Sequence, residues 1–303
     1  MSGNDNGAFK NQEGCQLSIV ERLRLHLQRP QLFQSFWHGG QLNPVAWTCY
    51  HSFIGGGQRV DLYTYDEIEV PKGVRLKCAD EIIPRDALFR KLDSWSPFSN
   101  FFRYELLFQR GGWWIDSDVY YNRKMIPKDD VIFAEQERGV VNTGQLKFPK
   151  AHPVLSDLIS RCRTFDLEKI KWGETGPRLL TATLRDHQLQ HKGIEREMLY
   201  PLHWLETYKF WFAEFSDYVK NKTKSSPFIH LWTSRFRALG IDVERERPLP
   251  GSFLDNVYDG AGVYRRYHLS MSNLHKIRER TNRYLNNWSR YSQSPHFLDL
   301  TPV

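Results

Sequence analysis

The stretch Gly111-Gly112-Trp113-Trp114-Ile115-Asp116-Ser117-Asp118-Val119-Tyr120-Tyr121 decides the fold. Two glycines stop whatever precedes them, and Trp113-Trp114-Ile115 then reads as a short buried strand that runs straight into two carboxylates. In an extended chain a one-residue spacing points Asp116 and Asp118 to the same side. Two carboxylates brought together at a sheet edge repel unless a cation neutralises them. Mg²⁺ or Mn²⁺ suits such oxygen ligands and fills its remaining positions with phosphate oxygens. An Asp-x-Asp by itself is also a common solvated turn. The preceding Gly-Gly and the apolar triplet set this one apart.

Working outward, Pro97 leads into a helix carrying Phe101, Tyr104, Leu107 and Phe108 that ends at Gly111. Upstream lie a first strand over Leu32–Trp37, a helix from Pro44 to Phe53, a break at Gly55-Gly56-Gly57, a strand over Val60–Tyr65 and a short one at Val74–Leu76. The glycine triplet follows a helix and lacks a following Lys-Ser/Thr, so it reads as a turn and not a phosphate loop. Downstream, Val131–Ala134 and Val140–Val141 read as strands, and helices are expected from His152-Pro153 to Ile159 and from Arg178 to Leu184. Strands alternating with helices predict an α/β fold with a mixed, mostly parallel sheet flanked by helices, with ligands at the carboxyl ends of the strands.

The 303 residues suffice for a large α/β domain, and ten Trp with nineteen Phe exclude a disordered chain. The net charge of +7 attracts polyanions, yet no zinc-finger spacing or RNA-binding aromatic signature accompanies it, so nucleic acid is not expected as a partner. Cys15, Cys49, Cys78 and Cys162 are scattered and form no metal or disulfide framework. The polar start MSGNDNGAFKNQEG lacks the apolar core of a signal peptide, which makes the cytoplasm the expected compartment. Residues 1–30 read as a polar tail and a helix over Leu17–Leu27, 31–262 as the catalytic domain, and 263–303 as a basic amphipathic extension. In that extension Leu274, Ile277, Tyr284 and Trp288 lie at helical spacing among Arg and Lys, a pattern for peripheral contact with an anionic membrane or for packing on the domain.

The segment FSNFFRYELLFQRGGWWIDSDVY, Phe98 to Tyr120, resembles the DXD-containing sugar-binding region of glycosyltransferase family 32. The likeness runs from about Phe33 to about Trp232 in family order: FWHGG at 36–40, LYTYD at 62–66, ADEIIP at 79–84, the DXD block, VNTG at 141–144, HP at 152–153, TGP at 175–177 and IHLW at 229–232. It implies a GT-A glycosyltransferase fold and a retaining transfer from a nucleotide-diphosphate sugar to a glycan or glycolipid acceptor. A UDP-sugar is the favoured donor and GDP-mannose the alternative. The resemblance assigns Asp118, Asp116 and His230 to Mn²⁺ or Mg²⁺, Trp37 to the donor's base, and Arg103 to its diphosphate or sugar. It sets Trp232 on the leaving phosphate, Asn142 beside the sugar, Gly176-Pro177 at a loop of the site and Glu174 at the acceptor. The family usually has Asp where this chain has Asn100, so the group facing the donor sugar here is uncharged. Two other classes use such motifs: a phosphohydrolase with Asp116 as nucleophile, and a carbohydrate-binding protein without catalysis.

Overall fold

The computed structural model describes residues 29–91, 94–166, 169–171 and 173–292. The expected tail and the helix over 17–27 lie outside the described residues. The central sheet is formed by β1 (Leu32–Phe36), β2 (Arg59–Thr64), β3 (Arg75–Cys78), β4 (Gly112–Ile115) and β8 (Gln145–Phe148), in the order β3-β2-β1-β4-β8. All neighbours are parallel except β4 and β8. Helices α1 (Pro44–Gly55), α2 (Ser96–Arg110), α3 (Pro153–Cys162) and α4 (Leu179–Asp186) flank it. The fold is thus the expected mixed α/β arrangement with a mostly parallel sheet.

Local chemistry explains the boundaries. Asn43 caps α1 by accepting from the Ala46 N–H at 2.9 Å, and Pro44 starts that helix with a fixed φ and no orphan donor. Pro97 does the same for α2, which ends at Gly111 with φ of 69°. A Cβ at Gly111 would stand 2.5 Å from the Lys150 backbone nitrogen, so that turn requires glycine on two counts.

The alternation along β4 divides the core. Trp114 faces α2 and α3 among Phe36, Phe98, Phe102, Leu146 and Phe148, all buried. Trp113 and Ile115 face the other way, among Phe33, Phe53, Val119 and Phe228. Each fully buried aromatic contributes roughly 1.5–3 kcal/mol through the apolar surface it removes from water. The GGWWI stretch therefore holds both layers of the core as well as carrying Asp116.

Two expectations are corrected. Val131–Ala134 is not a strand. Ile132, Phe133 and Ala134 are buried, but only an isolated Ile132–Lys147 bridge forms, and the ladder begins one residue later in β6 (Glu135–Glu137), which pairs with β7 (Val140–Val141). The run meets its backbone hydrogen bonds outside a regular ladder, with Ile132 on Lys147 and the Phe133 and Ala134 carbonyls accepting from the Ile194 and Asn142 N–H groups. The Asp116–Asp118 segment is not extended either. It is a turn, closed by the Val119 N–H donating to the Asp116 carbonyl at 3.2 Å, between β4 and β5 (Val119–Tyr121). β5 leaves the central sheet and pairs antiparallel with β9 (Phe228–His230) in the register Val119↔His230.

The basic segment near the carboxyl terminus packs on the domain. In α6 (Leu274–Ser292), Ile277 and Thr281 are buried and Tyr284 is half-buried against both the Trp113 cluster and a third one. Arg278 pairs with Glu214 and Arg280 donates to the Gly240 carbonyl. The side chains of Leu274 and Trp288 lie outside the description. No described helix is long and apolar enough to cross a membrane.

Candidate metal and donor site

Asp116 emerges from the end of β4 and is fixed from two sides. Its Oδ1 accepts from the Trp114 indole N–H at 2.8 Å and from Arg103 Nη2 at 2.8 Å. Arg103 arrives from α2, is 3% exposed, and donates its Nη1 to the Thr143 carbonyl at 2.8 Å. Its guanidinium lies 4.9 Å from the centre of the Trp114 ring. A planar fork held by an acceptor, a carboxylate and a ring has little freedom left, so it orients Asp116. The second oxygen, Oδ2, accepts from none of the described residues and faces Gly144.

Asp118 is held on the other side of the turn. Its Oδ1 lies 3.0 Å from His230 Nε2, and its Oδ2 accepts from the Thr233 N–H at 2.8 Å and from the Thr233 hydroxyl. Burial alone would raise this carboxyl. The charge and hydrogen bond of His230, with the two Thr233 donors, outweigh burial and hold it well below the usual carboxylate range. Asp118 is therefore an anion at any physiological pH. Thr233 opens α5 (Thr233–Ala238), so the helix start supplies the backbone donor.

His230 reaches the site through β9, whose register with β5 sets it across from Val119. Its ring stacks on Trp232 at 4.0 Å and 26°, and its Nδ1 meets no partner among the described residues. Trp232 itself sits at a left-handed φ of 52°, an uncommon conformation for a bulky residue. Its indole N–H donates to the Leu202 carbonyl at 3.3 Å.

Asp116, Asp118 and His230 each offer one ligand atom, and these lie within 4.8 Å of one another. A divalent cation fits this set. The donors are two carboxylate oxygens and an imidazole nitrogen, a mixed set that Mn²⁺ tolerates better than Mg²⁺. A Cβ on Gly144 would stand 2.9 Å from Asn142 Oδ1, 3.0 Å from His230 Cε1 and 3.2 Å from Asp116 Oδ2, so glycine keeps the centre of the group clear.

The remaining expected residues stand as follows. Asn142 lies at this centre, its Oδ1 accepting from the Gly144 N–H at 2.6 Å and its amide nitrogen donating to Gln136. Asn100 sits one turn before Arg103 and donates to Thr175 Oγ1 at 3.2 Å; a Cβ on Gly176 would approach its Nδ2 to 2.8 Å. Asn100 thereby holds the Thr175-Gly176 loop, as does Tyr104, whose hydroxyl donates to the Thr175 carbonyl at 3.0 Å. Trp37 is half-buried beyond the carboxyl end of β1, next to β4 in the sheet, with its indole N–H donating to the Gly40 carbonyl at 2.8 Å. Glu174 accepts from the Lys171 N–H at 2.8 Å.

Sequence reading missed Trp114, Thr143, Gly144, Thr233 and Tyr200. The first four flank motifs already singled out, and only their partners' positions in space reveal them. Tyr200 is buried beside His230 and Trp232 at ring distances of 5.7 and 5.6 Å, and its hydroxyl meets no partner among the described residues. Burial holds its phenol well above the usual range, so it stays neutral.

No protein-family model and no curated protein matches the chain. Among solved structures it is similar to the PaToxG glycosyltransferase, at 10% identity and a TM-score of 0.37 over 78% of this chain and 87% of that one. It is also similar to the glycosyltransferase GlyE of Streptococcus pneumoniae, in its apo form and in a second structure, at 12% identity and a TM-score of 0.42 over 86% of this chain. The chain spans 64% of the length of that GlyE chain.

Proposed function

We propose that this chain is a metal-dependent glycosyltransferase of GT-A architecture, moving a sugar from a nucleotide-diphosphate donor to a glycan or glycolipid acceptor. The observation that carries this reading is the convergence of Asp116, Asp118 and His230 at the end of β4, with Asp116 clamped by Arg103 and Trp114. The ordered motifs from FWHGG to IHLW support it.

In this reading Asp116 Oδ2, Asp118 and His230 hold Mn²⁺, or Mg²⁺ with less favour. An ion held there would supply positive charge toward the donor's leaving diphosphate. Arg103 and Trp114 aim Asp116, while Thr233 aims Asp118. Trp37 stacks on the donor's base, a UDP-sugar before GDP-mannose. Asn142 and Asn100 face the sugar, and Trp232 shifts its indole N–H from Leu202 to the leaving phosphate when the donor binds. The transfer proceeds with retention of configuration, as the family resemblance implies. The site operates in the cytoplasm. Ile277 and Tyr284 are already packed on the domain, so membrane contact would use the exposed Arg face of α6 by charge alone.

The test is release of nucleoside diphosphate from UDP- and GDP-sugars, with and without an added acceptor panel. The expected result is turnover with Mn²⁺ that stops in excess chelator and falls about a hundred- to a thousandfold in Asp118→Asn, the scale of losing a preorganised electrostatic group. Turnover that persists with chelator and in Asp118→Asn overturns the reading. Release of inorganic phosphate from phosphomonoesters in place of nucleoside diphosphate would assign a phosphohydrolase.

A further inference from the structure

At the opposite end of the sheet lies a cleft of about 520 Å³, lined by Gln34, Asp61, Tyr63, Lys77, Glu81 and Arg110. It occupies the face that α2 covers further along. There Phe36, Tyr63 and Trp114 pack beneath Phe98 and Phe102. α2 stops at Arg110, and Gly112 contributes no side chain, its missing Cβ lying 3.5 Å from Gln34 Nε2. The amino ends of β1, β2 and β4 are left uncovered on this face.

The floor of that opening, Gln34 and Asp61, is polar although nearly buried, while Glu81 and Arg110 at its rim are exposed. Gln34 and Asp61 are register partners across β1 and β2, at 3% and 5% exposure. Gln34 Nε2 donates to the Gly111 carbonyl at 2.8 Å and to the Trp113 carbonyl at 3.4 Å. Two carbonyls on that atom fix the amide's orientation, and Gln34 Oε1 has no partner among the described residues. Asp61 Oδ1 takes Arg75 at 2.6 Å, leaving Oδ2 without one. Lys77, half-buried at the rim, makes no ion pair or hydrogen bond among the described residues. Two nine-tenths-buried acceptors thus stand side by side with a free ammonium in reach of the same cavity.

We propose that this cleft is a second ligand site, for a neutral saccharide. Asp61 is paired with Arg75 and Glu81 with Arg110, so Lys77 is the lone unpaired charge among the described lining residues, and with the two acceptors Gln34 Oε1 and Asp61 Oδ2 beside it neither a phosphate nor a metal cation is favoured. Its walls are too polar for an apolar ligand. Sugar hydroxyls both donate and accept, which matches the acceptors Gln34 Oε1 and Asp61 Oδ2 and the donor Lys77 Nζ. The volume lies within the ~300–1,000 Å³ usual for small-molecule sites. Gly112 precedes Asp116 by four residues, or ~13 Å at ~3.3 Å per residue, so the cleft is separate from the metal cluster. Holding a distal part of a glycan acceptor there rests on the transferase reading; the binding itself does not.

Saturation-transfer NMR on the full chain tests it, with maltose, lactose, methyl α-mannoside and N-acetylglucosamine as probes, in the presence of chelator. At least one probe is expected to bind, about tenfold more weakly in Asp61→Asn, the scale of losing a hydrogen bond to a charged group. Lys77→Ala, which disturbs no described contact, is expected to weaken it in the same direction, and Asp118→Asn to leave it unchanged. Binding by none of the probes, or binding abolished by Asp118→Asn and untouched by Asp61→Asn and Lys77→Ala, overturns the proposal. Failure of the transferase reading registers elsewhere, in donor turnover, and leaves this result standing.

Discussion

The two ends of the sheet handle carboxylates differently. At the carboxyl end, Asp118 has both oxygens engaged by His230 and Thr233, and Asp116 has one engaged twice and one left over. At the amino end, Asp61 shares one oxygen with Arg75, whose side chain is 51% exposed, while the other faces an open cleft. A network of buried donors holds a charge in one geometry and makes its removal costly. A pair with an exposed guanidinium is screened by water and contributes little. The same residue type is thus preorganised at one end and adaptable at the other, as a reacting centre and a binding cleft respectively require.

The largest test of that contrast is Asp118. Its folded carboxyl is held below the ordinary range, so its ionised form stabilises the fold above about pH 4, and that contribution is lost as pH falls from there through the depressed value. Thermal unfolding of the metal-free protein should show Asp118→Asn well below the parent at pH 7, with the gap closing below about pH 4. A gap independent of pH would mean that shape and not charge holds the turn.

Next is Arg103. Removing it as Arg103→Ala leaves Asp116 facing Trp114 alone, at a cost of about 2–3 kcal/mol, below the 3–5 kcal/mol of a fully buried pair because Asp116 is 28% exposed. Arg103→Lys should recover part of the stability and little of the Mn²⁺ affinity, since an ammonium cannot serve Asp116 and the Thr143 carbonyl in one plane. Equal Mn²⁺ affinity in both variants and the parent, by titration calorimetry, would break the positioning role.

A smaller effect is expected at Gly144→Ala. The added methyl falls 2.9 Å from Asn142 Oδ1, 3.0 Å from His230 Cε1 and 3.2 Å from Asp116 Oδ2, so overpacking should cost about 1–2 kcal/mol of stability and Mn²⁺ binding should weaken with it. Unchanged metal affinity would mean that the cation sits elsewhere. Smallest of all, Asp61→Asn should alter stability by about 1 kcal/mol or less in urea unfolding, because its buried carboxylate is paired with a half-exposed guanidinium that water screens. A loss as large as that of Arg103→Ala would erase the contrast between the two ends.

Much of the site was legible because its residues cluster in sequence. A strand ending in Asp-Ser-Asp announces where carboxylates emerge, and Arg103 lies on the helix just before it. The geometry of the pair was not legible. Extended spacing would align Asp116 and Asp118, yet they meet through a turn, because Asp116 is tied to β4 through Trp114 and Asp118 to β9 and α5 through His230 and Thr233. Arg103 pairs with Asp116 rather than with the adjacent acid Glu105, which instead meets Arg163. The stripe of α6 likewise had two readings until Ile277 and Tyr284 were seen against the core.

The sequence by itself determined the alternation of strands and helices, the glycine stops around β4 and the Asp116–Asp118 motif, since these depend on neighbours within a few residues. Only the tertiary structure decided which distant groups complete them. His230 lies 112 positions from Asp118, and Gln34 lies 27 from Asp61. Such pairs form when separate strands come side by side: the alternating pattern of each strand chooses its faces, but which distant strands become neighbours follows from packing the whole sheet.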